Sequence, residues 1–175
     1  MKQLILGGAR SGKSRLALQY AEQSNLELVF IATATASDEE MAARIAAHQD
    51  ERNSTWLLIE EPVALAKVLQ QNASESRCIV VDCLTLWLGN LIGHKEHTSL
   101  VNFEQQRNDL IQCIPTLSGH VIFVSNELGM GLVPGTVLGR HFRDELGRLH
   151  QDIAAICDRV ILTVAGIPQI LKGGE

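Results

Sequence analysis

Hydrophobic residues gather along this chain in five short, continuous runs: QLILGG from Gln3, LELVFIATA from Leu26, RCIVVDCL from Arg77, HVIFVSNE from His120 and RVILTVAG from Arg159. None alternates strictly with polar residues, so each is expected to be a strand covered on both faces, as in a parallel sheet. TWLLIEEP, from Thr55, is a weaker sixth candidate. Segments with helical period lie between the runs, over residues 11–24, 37–52, 62–72, 99–114 and 136–157. Ser37, with Glu40 three residues on, predicts an N-cap and capping box for the second of these. Such alternation predicts a layered α/β fold with right-handed crossovers, the fifth run closing the pattern. LIGHKEHTSL, residues 91–100, is expected to be an exposed, mobile loop. No repeat, low-complexity tract or Pro/Ser linker divides the chain, and residues 1–175 are expected to form a single domain.

Composition narrows the chemistry. A formal net charge of −5 gives no general attraction for nucleic acid or anionic lipid, so an anionic ligand needs a local site. The four cysteines, Cys78, Cys83, Cys113 and Cys157, form no CxxC pair and no zinc-ligand spacing, which predicts reduced thiols. MKQLILGG runs into a glycine loop and not into a signal-peptide core, and no segment reaches the roughly 18 to 20 apolar residues of a membrane span. The expectation is a soluble cytoplasmic protein.

GGARSGKS fits the pattern G-x-x-x-x-G-K-[ST] through Gly7, Gly12, Lys13 and Ser14, with a strand before it and a helix after. Glycines let the backbone curl until successive amides point at phosphate oxygens, the helix start adds positive potential, and Lys13 brings a formal charge toward the β and γ phosphates. Ser14 is placed to ligate Mg²⁺. The fold class expected is therefore P-loop NTPase-like α/β, with a mostly parallel central sheet flanked by helices. Asp82 ends the CIVVD strand, where an acidic residue holds Mg²⁺ directly or through water; the alternative is a strand-end Asp that caps the next helix.

His48 lies within ARIAAHQDER on the expected helix 37–52, sharing a narrow sector with Met41, Ile45 and Arg52. That face disfavours a solvated histidine and leaves a packed core residue or one turned toward a cleft. Arg44 and Arg52, four residues to either side, would depress its pKa and favour the neutral imidazole that attack on phosphorus requires. SNELGMGLVP, from Ser125, follows the fourth strand, and ligands of open α/β sheets sit beyond the strands' carboxyl ends. Asn126 and Glu127 therefore belong beside the nucleotide or a second substrate, unless the stretch is a plain glycine turn. Arg140, Arg143, Asp144 and Arg148 are either solvated or in reach of an anionic substrate.

Taken together, GGARSGKS, FIATA, DEEMAARIAAHQDERNSTW, VDCLT, VSNELGMGLVP and GRHFRDELGRLHQ resemble the bifunctional adenosylcobinamide kinase / adenosylcobinamide-phosphate guanylyltransferases of cobalamin biosynthesis, over Leu4 to about Lys172. The resemblance implies two reactions. In the first, ATP or GTP phosphorylates the terminal hydroxyl of adenosylcobinamide. In the second, GTP donates GMP to adenosylcobinamide phosphate through a covalent guanylyl-histidine, releasing pyrophosphate. It also implies that His48 is the nucleophile and that Gly7, Gly8, Ala9, Arg10, Ser11, Gly12, Lys13 and Ser14 hold the phosphates. Ala32, Thr33 and Ala34 would line the nucleotide site, and Gln49, Asp50, Glu51 and Arg52 would contact the guanylyl group. Glu60 and Asp82 would complete the nucleotide and metal contacts. A homotrimer is implied as well. Two rival readings are a generic small-metabolite kinase, in which His48 is structural, and a nucleotide-dependent switch protein.

Overall fold

A computed structural model describes residues 1–34, 56–93 and 100–174. The expected helix 37–52, with its capping box, His48 and Gln49 to Arg52, lies outside the described residues, as do residues 94–99.

Among the described residues the sheet has seven strands: β1 (Lys2–Gly7), β2 (Glu27–Ala32), β3 (Leu57–Glu60), β4 (Arg77–Asp82), β5 (His120–Asn126), β6 (Arg159–Val164) and β7 (Ile167–Lys172). Their order is β3-β2-β4-β5-β1-β6-β7, and every neighbouring pair is parallel except β6 with β7. The α-helices among the described residues are α1 (Lys13–Gln23), α2 (Leu65–Asn72), α3 (Leu84–Gly93), α4 (Leu100–Cys113) and α5 (Val137–Ile156).

Both faces of the sheet are apolar, which explains the unbroken hydrophobic runs. Along β1, Leu4 and Leu6 turn to one face and pack with residues of α2, α3, α4 and α5. Ile5 turns to the other and packs with Leu16, Ala17 and Ala21 of α1. Side chains alternate at every residue, yet each finds a hydrophobic layer.

Four expectations are corrected. The fifth run does not close the sheet, because β7 folds back on β6 through a turn at Ala165 and Gly166, whose φ values are 52° and 78°. Leu84, read as a strand end, and residues 91–93, read as loop, belong with the unassigned residues between them to α3; Trp87 and Leu88 are fully buried, so an apolar face surrounds much of it and no period marks it. Leu91, assigned to the exposed loop, is 2% exposed and belongs to the core. Helix α2 begins at Leu65 and not at Pro62, since the Glu61 carboxylate accepts the amides of Val63 and Ala64 at 2.9 and 2.7 Å just before it.

Candidate active site

The loop between β1 and α1 is shaped by close approaches. A Cβ on Gly7 would stand 2.4 Å from Ser11 Oγ and 2.7 Å from Thr163 O, so only glycine lets β6 and the loop close in. Arg10 and Gly12 have φ of 54° and 92°, curling the chain back on itself. The Ser11 amide donates to Gly8 O at 3.3 Å, and the Gly166 amide, from the β6–β7 turn, donates to Ser11 O at 2.8 Å. No side chain caps the start of α1, whose first amides are thus free to bind an anion. Lys13 Nζ lies across the loop, donating to Gly8 O at 3.2 Å.

Strand β4 delivers Asp82 to the same carboxyl edge. In register, Ala32 pairs with Asp82 on one side and Glu60 on the other, so Glu60, Ala32 and Asp82 form one row. Thr33 is fully buried: its hydroxyl donates to Cys83 O at 2.7 Å and accepts from Cys83 N at 2.8 Å, tying the segment after β2 to the turn after Asp82. Asn90 Nδ2 donates to Thr33 O at 2.7 Å and to Pro62 O at 3.1 Å, joining α3 to this corner. The Cys83 thiol is pushed up to about 12 by burial first and by Asp82 second, with Lys13 pulling the other way, so Lys13 is in electrostatic reach of the β4 end. Among the described residues nothing donates to or pairs with the Asp82 carboxylate, and no group of three or more His, Cys, Asp or Glu could hold a metal alone. A cation here would draw on one or two protein oxygens plus phosphates, which is the habit of Mg²⁺.

Strand β5 runs between β1 and β4, pairing Asn126 with Gly7 and Val124 with Asp82. Its end is tied to the phosphate loop, since the Glu127 amide donates to Gly7 O at 3.0 Å. Behind it lies a buried polar chain. The Asn126 amide donates to Thr85 Oγ1 at 2.8 Å, Thr85 Oγ1 lies 3.1 Å from Ser125 Oγ, and Ser125 Oγ lies 2.7 Å from His150 Nε2. Glu127 Oε2 is 3.8 Å from His150 Nδ1, while Oε1 accepts the Gly129 amide at 2.5 Å. Burial pushes the His150 pKa below its ordinary value, and Glu127 pulls it back in part.

A profile of the family described as cobinamide kinase / cobinamide phosphate guanyltransferase matches residues 3–171. The chain belongs to this family. It is 51% identical over 173 residues to the bifunctional adenosylcobalamin biosynthesis protein CobP of Pseudomonas aeruginosa, covering 99% of this chain and 98% of that one. To the bifunctional adenosylcobalamin biosynthesis protein CobU of Escherichia coli it is 36% identical over 181 residues, covering 97% and 98%. Flagellar accessory protein FlaH from Methanocaldococcus jannaschii shares the fold at a TM-score of 0.50 and 13% identity, over 99% of this chain and 78% of that one. The cobinamide kinase / guanyltransferase chain is thus an enzyme of cobalamin biosynthesis that acts on cobinamide with nucleotide substrates, on a P-loop NTPase fold.

In this family member the carboxyl edge of the sheet brings together Gly7 to Ser14, Ala32, Asp82, Asn126 and Glu127. Glu60, exposed, stands at the far end of the row. Ala34 is half-buried just beyond Thr33. The α5 charges are largely paired: Arg143 with Asp144 at 3.2 Å and Arg148 with Glu145, while Arg140 Nη1 donates to the carbonyls of Pro134 and Gly135 at 3.0 and 3.1 Å. Sequence reasoning missed Thr85, Ser125 and His150. For His150 a signal existed, because it shares the apolar face of α5 with Leu146, Leu149 and Ile153, the argument applied to His48.

Proposed function

We propose that this enzyme first moves the γ-phosphoryl group of ATP or GTP to the terminal hydroxyl of adenosylcobinamide, and then moves GMP from GTP to adenosylcobinamide phosphate by way of a guanylyl-His48 intermediate. The carrying observation is the uncapped start of α1 with Lys13 lying across the glycine loop, a cradle for a triphosphate at the sheet's carboxyl edge. Mg²⁺ would be held by Ser14 and by Asp82, directly or through water, and would neutralise phosphate charge. That the Asp82 carboxylate has no partner among the described residues supports this role.

Phosphoryl transfer asks the chain only to position and neutralise, the task of the loop amides and Lys13. Guanylyl transfer asks for a nucleophile. A neutral ring nitrogen of His48 attacks the α-phosphorus, the bond to pyrophosphate breaks, and a P–N bond forms. An oxygen of adenosylcobinamide phosphate then attacks that phosphorus and frees His48. Ala32, Thr33, Ala34, Gln49, Asp50, Glu51, Arg52 and Glu60 complete the nucleotide site in this reading, Thr33 indirectly by fixing the turn after Asp82, since it is fully buried with its hydroxyl, amide and carbonyl all bonded within the protein. The reading also includes a homotrimer, for which exposed Leu132, Val137 and Ile167 offer apolar surface.

Labelled GTP with Mg²⁺ tests the proposal: acid-labile, base-stable label is expected on the peptide that contains His48. His48→Ala should abolish labelling and lower kinase turnover far less. Equal loss of both activities, or label elsewhere, would count against the assignment.

A further inference from the structure

The buried chain behind β5 can be satisfied in one direction throughout. Thr85 Oγ1 accepts the Asn126 amide at 2.8 Å and can give its own proton to Ser125 Oγ at 3.1 Å. Ser125 can then turn its proton onto His150 Nε2 at 2.7 Å, which leaves the ring's proton on Nδ1, the nitrogen facing Glu127 Oε2. His150 is 7% exposed, and its depressed pKa agrees with a neutral imidazole. At 3.8 Å the last contact is longer than a hydrogen bond but within electrostatic reach. Glu127 is fixed at two further points, by Gly129 N on its other carboxylate oxygen and by Gly7 O on its amide. No Lys or Arg among the described residues pairs with it, and its side chain keeps a fifth of its surface open. A carboxylate held this firmly, without a permanent cation, beside the end of the phosphate-loop strand, is suited to receive a proton.

We propose that Glu127 accepts the proton of the cobinamide hydroxyl during phosphoryl transfer, and that His150, oriented by Ser125 and Thr85, is the positioning residue that holds Glu127 for it. This rests on the kinase half of the function proposed above. The step balances: the hydroxyl oxygen forms a bond to the γ-phosphorus, the bond to the bridging oxygen breaks with its electron pair leaving on the nucleoside diphosphate, and the proton passes to Glu127 and on to water. Formation of guanylyl-His48 from GTP alone involves no acceptor hydroxyl, so it serves as the internal comparison.

Kinase kcat, nucleotide KM and the rate of guanylyl-enzyme formation should be measured for wild type, Glu127→Gln, His150→Leu and His150→Asn. Glu127→Gln is expected to lower kinase kcat by about a hundredfold, at least about tenfold more than it slows guanylyl-enzyme formation. His150→Leu should lower kcat by about tenfold at near-constant nucleotide KM, and His150→Asn, whose amide can donate toward Glu127, should restore most of it. Wild-type kcat in Glu127→Gln overturns the proposal. Parallel loss of both activities with raised nucleotide KM overturns it too, because the chain would then merely hold the phosphate loop. If the wild-type enzyme guanylylates itself but does not phosphorylate adenosylcobinamide, the kinase reading fails, and the inference with it.

Discussion

Thr33 contributes to the site through backbone geometry. With both hydrogen bonds made to Cys83, its hydroxyl fixes the turn that follows Asp82. Thr33→Val keeps the volume but leaves the buried Cys83 amide unsatisfied, while Cys83 O keeps the Trp87 amide at 3.1 Å, so a loss of about 1 to 3 kcal/mol is expected from urea unfolding, with Thr33→Ser losing much less. Gly7 is constrained by contact and not by φ. Gly7→Ala pushes a methyl group into Ser11 Oγ and Thr163 O, and nucleotide affinity measured by calorimetry should fall at least about tenfold. At this scale the sequence was most readable where chemistry is local: Gly7 to Ser14 are contiguous, and Asp82 is marked by the strand it ends. Thr85, Ser125 and His150 were not legible as a set, since 40 and 25 residues separate the bonded pairs and only the fold brings them together.

The hairpin of β6 and β7 braces the phosphate loop from outside. Its two central residues both have positive φ, the geometry of a tight hairpin turn, and the second donates its amide to Ser11 O. Gly166→Ala strains that turn by about 1 to 2 kcal/mol without a severe clash, because only Arg15 Nη2 stands near the added Cβ, at 3.4 Å. The expected result is a raised KM for nucleotide in both half-reactions at nearly unchanged kcat, read by steady-state kinetics. Elements with one dominant signal were legible from sequence: the apolar parallel strands, and α5 with Thr136 accepting Gly139 N as its N-cap. Helix α3 was hidden because burial on several sides erases amphipathic period. Strand β7 was hidden because all six of its residues are exposed and Pro168 interrupts it. The strand order was hidden too, since nothing in the composition of β5 says that it inserts between β1 and β4.

Across the whole molecule, all four cysteines are buried and free, and burial raises the pKa of each, to about 12 for Cys83 and Cys157 and about 11 for Cys113. Ellman's reagent at pH 8 should therefore find almost no thiol in the folded protein and four after denaturation. Acid sensitivity follows from His150. Its folded pKa lies below the ordinary 6.5, so the unfolded chain binds the extra proton first, and the stability gained by keeping the ring neutral is present above pH 6.5 and lost as pH falls through the folded value. His120 acts with the same sign, so the part due to His150 is the difference between wild type and His150→Asn in urea midpoints below pH 6.5. The brace at Gly166 also has a consequence for synthesis. The residue that completes the wall of the phosphate cradle is encoded far downstream of the cradle itself. A nascent chain can display the whole glycine motif yet lack the amide that braces it until β6 and its turn have left the ribosome.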